Sequence, residues 1–256
     1  MAHVGKAPDV LSLSEIPSQI ICYPRPSEDE RQRRLREMEN IGVDQVLLKG
    51  ETTIDGYQVL GKGCVSVVIP VKAASGIAVL KIRRTDANRV NMFHEAEMLS
   101  FVNSLDIGPK LLSCTANMLL MEYIEGPILP KWLRIADQSE SERVKKTVRA
   151  LLKQCYTMDT MHLDHGELSN ASKHVIVRSV EWSPVIIDFE SASRTRRVQN
   201  LTSICQFLFM SKGNSRVTQA FTEPICPESF KTRLREYKLE PSERRFQQIL
   251  SACSLE

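Results

Sequence analysis

His165-Gly166-Glu167-Leu168 and, about twenty residues further on, Ile186-Ile187-Asp188-Phe189-Glu190 are the two stretches of this 256-residue chain on which its fold turns. Glu167 follows a helical pattern at about 139–162 and precedes the apolar run Val175-Ile176-Val177, so it reads as an acid in a loop. Asp188 ends a second short apolar run and reads as an acid at a strand end. Two carboxylates in that order suit phosphoryl transfer. One can face an attacking hydroxyl while the other holds Mg²⁺ against nucleotide phosphates. Neither motif is specific alone, and the case rests on their order and spacing together with residues upstream.

The first of those is Lys81, inside the hydrophobic run Ile77-Ala78-Val79-Leu80-Lys81-Ile82. A charge there has two readings: it grips nucleotide phosphates while paired to a glutamate of the next helix, or it keeps a sheet edge soluble. Glu95, fourteen positions later, is a suitable acid, whereas Glu97 lies on a different helical face. Leu60-Gly61-Lys62-Gly63-Cys64-Val65-Ser66-Val67 sits at a strand-to-strand turn. Gly61 and Gly63 would let the backbone approach phosphates and point N–H groups at them; a plain tight hairpin is the competing reading.

The rest of the chain frames these motifs. A hydrophobic fraction of 42% and a charged fraction of 25% are ordinary for a globular protein, and a net charge of +3 is too small to imply nucleic acid by itself. The longest apolar runs fall far short of a membrane span, and the N-terminus lacks a basic-then-apolar leader pattern. The seven cysteines are scattered with no Cys-x-x-Cys pair, which argues for a reducing cytoplasm over a disulfide framework. Residues 1 to about 26, broken by prolines and one glycine, read as a flexible arm or a loosely packed segment. Ser27-Glu28-Asp29-Glu30 reads as a capping box opening a helix whose Arg31, Arg33, Arg34 and Arg36 form a basic face, read as solvated, with docking of nucleic acid or a partner as the alternative. Short β-type runs at Tyr57–Leu60, Val65–Val71 and Ile77–Ile82 predict an antiparallel meander, and Met118–Tyr123 a further strand. Helical spacing covers 87–104, with Val90, Phe93, Met98, Phe101 and Val102 on one side, and returns at about 139–162, 198–212, 228–237 and 241–253. Strands plus one helix, then mostly helices, predict an α+β chain: an arm and basic helix over 1–45, a small β-rich lobe over 46–125 and a compact helical lobe over 126–256.

These residues resemble the small atypical protein kinases, the RIO type and the compact kinase of the KEOPS complex. The chain is similar above all to a group of predicted archaeal serine/threonine kinases with Asp-His-Gly-Glu-Leu and Asp-Phe-Glu-Ser-Ala-Ser patterns. The resemblance covers about residues 50–212 and implies a two-lobed protein-kinase-like fold. It implies ATP with Mg²⁺ or Mn²⁺ as cofactors and a protein Ser/Thr hydroxyl as acceptor. Gly61, Gly63, Lys81 and Glu95 would serve the phosphates, Met121 would be the gatekeeper, and the backbones of Glu122 and Ile124 would meet the adenine. Glu167 would stand at the catalytic acid's position, with Lys81 and Asp188 beside it in the catalytic set, and Asp188 would ligate the metal.

The chain departs from that pattern in several places. Glu167 is one methylene longer than the usual aspartate, Ser66 replaces a third loop glycine, and Glu190 replaces the glycine that lets the following loop swing. The second metal position is open between Asn170, Ser172 and His174; His174 abuts the apolar strand, though imidazole is a poorer ligand for hard Mg²⁺ than oxygen. There is no room for a long activation segment. Arg194, Arg196 and Arg197 read as a solvated turn, with contact to phosphate or a protein partner as the alternative, and His165 reads as structural. A small-molecule phosphotransferase and a nucleotide-binding pseudokinase interaction module stand as alternative functions. The protein substrate and any complex partner are open.

Overall fold

The computed structural model describes residues 10–136, 138–210 and 227–256. The chain divides into two compact units, Met1–Ser100 with Pro109–Tyr123, and Phe101–Gly108 with Ile124–Glu256. Its class is α+β, as expected.

The first unit is built on a seven-stranded antiparallel sheet. Its path runs β1 (Val10–Ser12), β2 (Val43–Leu47), β6 (Ser66–Ala73), β7 (Gly76–Arg83), β9 (Met118–Glu122), β8 (Leu111–Cys114), and β5 (Gly61–Lys62) pairs with β6 off that path. A separate hairpin joins β3 (Thr52–Ile54) to β4 (Tyr57–Val59). The central strands carry the β-branched and aliphatic runs that the sequence marked: Val67, Ile69, Val71, Leu80 and Ile82 are all buried in one core. β7 pairs with β6 on one side and with β9 on the other, so Lys81 lies on an interior strand opposite Val68 and Leu119. The edge-lysine reading is therefore wrong.

Two expectations for the N-terminal region are corrected. Residues 10–26 do not form a flexible arm: β1 pairs with β2, and Ile16, Ile20, Ile21 and Cys22 are completely buried in the sheet's core around the short helix α1 (Ser18–Ile21). Pro17, Pro24 and Pro26 interrupt this stretch, and its apolar residues are spaced too irregularly to show a period. In α2 (Glu28–Asn40), Ser27 is the N-cap but its side chain makes no cap hydrogen bond, and the Glu30 carboxylate turns instead to Arg33 and Arg34, each at 2.7 Å. Arg34 is fully buried and not part of a solvated face. It donates to the carbonyls of Ile21 and Arg83 and ties α2 to α1 and to the end of β7.

Helix α3 begins at Phe93, not near 87, because Asn91 Oδ1 accepts the Phe93 N–H and so caps it there. Val90 and Phe93, expected on the buried face, are 88% and 50% exposed, while Met98, Leu99 and Val102 are buried.

In the second unit, α4 (Leu129–Ile135) and the long α5 (Ser141–Thr160) precede a 3₁₀ stretch at Leu168–Lys173 and the antiparallel hairpin β10 (Val175–Val177) and β11 (Pro184–Ile186). Then α6 (Asn200–Cys205) runs into a π-helical turn at Gln206–Met210, and α7 (Pro227–Leu239) and α8 (Glu243–Ala252) follow. The C-terminal end of the helix expected at 198–212 lies outside the described residues. Hairpin and 3₁₀ stretch together present the loop that holds the acidic motifs. Among the described residues no helix is long and apolar enough to cross a membrane.

Candidate active site

In the first unit the sequence-marked lysine and glutamate meet. Lys81 Nζ donates to Glu95 Oε1 at 2.8 Å, and both residues are only 4% exposed. Glu97, two positions on, is exposed. The pair is fixed by the register of an interior strand and by the first turn of α3, so neither partner has to be drawn in from solvent. A buried ion pair is a poor source of stability, because desolvating two charges offsets most of their attraction.

Gly61 and Gly63 form the β5–β6 hairpin, closed by the Gly63 N–H donating to the Ser66 carbonyl at 2.8 Å. Arg84 Nη1 donates to the Gly63 carbonyl at 2.7 Å, and the Arg84 guanidinium lies over the Tyr23 ring, 4.9 Å from its centroid. A Cβ at Gly61 would meet nothing, and at Gly63 only the Ser66 carbonyl at 3.8 Å; neither needs positive φ. The fold itself does not require glycine at these two positions. Glu122 closes β9, with its N–H donating to the Lys110 carbonyl at 2.9 Å, so an adenine would find that donor already engaged. Ile124, in the second unit, is buried.

In the second unit, Glu167, His174 and Asp188 come together. His174 Nε2 lies 3.0 Å from Glu167 Oε2, and its Nδ1 lies 3.8 Å from Asp188 Oδ2, too long for a hydrogen bond but close enough for charge to be felt. Ser191 Oγ donates to the other Glu167 oxygen at 2.5 Å. Asp188 takes φ +70, a conformation in which aspartate is enriched among non-glycine residues. Of the three residues weighed for a second metal position, Asn170 and Ser172 bond to each other at 2.7 Å, while His174, 7% exposed, faces the acids.

His165 is structural, as its place in the loop suggested. It is fully buried, and burial pushes its pKa down to about 4, so it is neutral at pH 7. Its Nε2 lies 3.0 Å from the Ile187 carbonyl, an acceptor, which assigns the ring proton there; Nδ1 then accepts the Glu167 N–H at 3.4 Å. Gly166 is obligatory. Its φ is +92, and a Cβ would strike the Arg196 guanidinium and come within 3.0 Å of the Ser191 carbonyl.

The residues holding this loop are the ones that sequence reading missed. Arg196 is not merely solvated: its Nε donates to the buried Asp164 Oδ2 at 2.6 Å and its Nη2 to the Ser191 carbonyl at 2.9 Å. Asn200 Oδ1 accepts the His165 N–H at 2.8 Å, and its Nδ2 donates to Asp159 Oδ1 at 2.8 Å. Asp159 also accepts from the N–H groups of Asn200 and Leu201 and from the Tyr237 hydroxyl. Even so, burial dominates and raises its pKa to about 6. The available signal was the run of small and basic residues right after Glu190, too short for a helix and too polar for a strand.

No family model matches the chain. The uncharacterized protein MJ1211 of Methanocaldococcus jannaschii is 26% identical to it over 105 residues, 41% of this chain and 83% of that protein. That relative brings no activity with it.

Proposed function

We propose that the protein has a two-lobed kinase-like fold and transfers the terminal phosphoryl group of ATP, with Mg²⁺ or Mn²⁺, to a protein Ser/Thr hydroxyl. The observation that carries this is the Lys81–Glu95 pair, buried at 2.8 Å on an interior strand and the following helix. Its small return in stability argues that the charge serves a ligand. Lys81 would grip nucleotide phosphates, and the hairpin at Gly61 and Gly63, glycines that the fold does not require, would let them approach.

The residues present fit a divalent cation. Asp188 and Glu167 supply hard oxygens, and His174 Nδ1 is a buried polar atom with no hydrogen-bond partner among the described residues. Asp188 and His174 would hold the ion, an oxygen-plus-imidazole set that suits Mn²⁺ at least as well as Mg²⁺. When bound, such an ion neutralises charge on the transferring phosphoryl group. Glu167 would orient the acceptor hydroxyl and take its proton, with His174 holding one of its oxygens and Ser191 yielding the other to the acceptor.

A second reading, nucleotide binding without turnover, is favoured by one observation: both oxygens of Glu167 are already engaged, by Ser191 and His174. Incubation with labelled ATP and either metal decides between them. Label on protein, or released phosphate, that disappears in Lys81→Met and Glu167→Gln supports the transferase. Nucleotide binding with no turnover under any metal supports the binding module, and absence of binding defeats both.

A further inference from the structure

We propose that an open cavity of about 610 Å³ in the second unit, lined by Arg194, Arg196, Arg197 and Lys238, binds a phosphate monoester. The walls come from the end of α5, the segment after Asp188 and the end of α7. Asp159 is the one carboxylate in that lining, and it is turned away from the opening: it is 2% exposed, with its oxygens filled by Asn200, Leu201 and Tyr237. Among the described residues, Arg194, Arg197 and Lys238 have no carboxylate partner. Arg194 packs over the Phe101 ring at 4.2 Å, Arg197 donates to the Lys238 carbonyl at 2.5 Å, and Lys238 Nζ lies 3.4 Å from Gln199 Oε1. All three of those partners are neutral. Of the four, Arg196 meets a carboxylate, Asp164, and its Nη1 has no hydrogen bond among the described residues.

Several cations around one concavity repel each other, and an anion bound among them relieves that repulsion. Guanidinium forks match the oxygens of a phosphate bidentately, and the Thr195 hydroxyl in the same lining can add a donor. The volume leaves far more room than inorganic phosphate fills, so the phosphate arrives on a carrier. Arg196 and Arg197 are held in place by Asp164 and by the end of α7, so little side-chain freedom remains to be lost on binding. The inference does not depend on phosphoryl transfer, because none of these cations has a role in it.

The test titrates the full chain with inorganic phosphate, a phosphothreonine peptide and a nucleoside monophosphate, at ionic strength matched with sodium chloride. Amide chemical shifts of the 194–198 segment are followed by NMR, in the parent and in Lys81→Met. The expected result is that one ester binds at least tenfold more tightly than inorganic phosphate in both proteins, and which ester does so identifies the carrier. Its dephosphorylated form does not bind. Arg197→Gln and Lys238→Gln each weaken it at least tenfold, while Lys238→Arg recovers most of it. Equal shifts from chloride, binding that survives both glutamine variants, or binding lost in Lys81→Met would overturn the site.

Discussion

Lys81 and Glu95 stand out at the residue scale because they are charged, buried and joined, in a core that aliphatic residues would fill at less electrostatic cost. That makes a prediction separating their contribution to the fold from their contribution to a ligand. Lys81→Met takes the ammonium away from a buried carboxylate and should lower stability by about 3 kcal/mol in urea denaturation. Lys81→Met with Glu95→Met removes both charges and should recover most of that loss, yet regain no nucleotide binding. Recovered binding in the double variant would show that the pair is structural. Glu167 gives the complementary case. Glu167→Gln should keep ATP affinity within a few-fold and lose about 10²–10⁴-fold in turnover, read by label transfer. Lys81 and Asp188 were legible in the sequence because a charge interrupts or ends an apolar run, and Glu95 because it is an acid early in the helix that follows Lys81. Ser191, Arg196 and Asn200 were not, since a polar residue in a polar stretch carries no pattern, and their roles come from residues 24 to 35 positions away.

Elements show the same division. β6, β7 and β9 were readable because interior strands are near-continuous aliphatic runs. β1 and α1 were missed because each is only three or four residues long, too short for a period to register. The solvated reading of α2 failed at Arg34, whose partners are backbone carbonyls in other elements that no helical wheel contains. At Gly61 and Gly63 the structure adds information that the sequence lacked: open space and ordinary φ at both. Gly61→Ala or Gly63→Ala should therefore leave stability unchanged or raise it by about 0.4–1 kcal/mol, since alanine restricts the unfolded chain. If the hairpin cradles phosphates, the same variants should weaken ATP binding several-fold. A variant that binds ATP as tightly as the parent would reduce the turn to a tight hairpin and nothing more.

For the molecule as a whole, two buried groups of the second unit pull its stability in opposite directions with pH. Asp159 has a folded pKa of about 6, above the usual carboxylate range. Between roughly pH 4 and 6 the folded chain holds a proton there that the unfolded chain does not, so this group adds stability as pH falls. His165 has a folded pKa of about 4, below the usual imidazole value. Between roughly pH 4 and 6.5 the unfolded chain holds a proton there that the folded chain does not, so this group removes stability as pH falls. Each amounts to one proton, or about 1.4 kcal/mol per pH unit, and over their common window they cancel. The two sit in one network, because Asn200 bonds to Asp159 and to the His165 backbone together. Removing either titration should expose the other. Asp159→Asn should lose stability faster than the parent between pH 5.5 and 4.5, by about 1.4 kcal/mol more per pH unit, and His165→Gln should lose it more slowly by a similar amount. Any constant offset from lost hydrogen bonds shifts each curve without changing its slope, and slopes common to other carboxylates cancel on subtraction from the parent. Urea denaturation at half-unit steps of pH reads the three curves. Parallel curves would mean that both groups keep near-ordinary pKa values in the folded chain, and that the core around the acidic loop is wetter than its burial indicates.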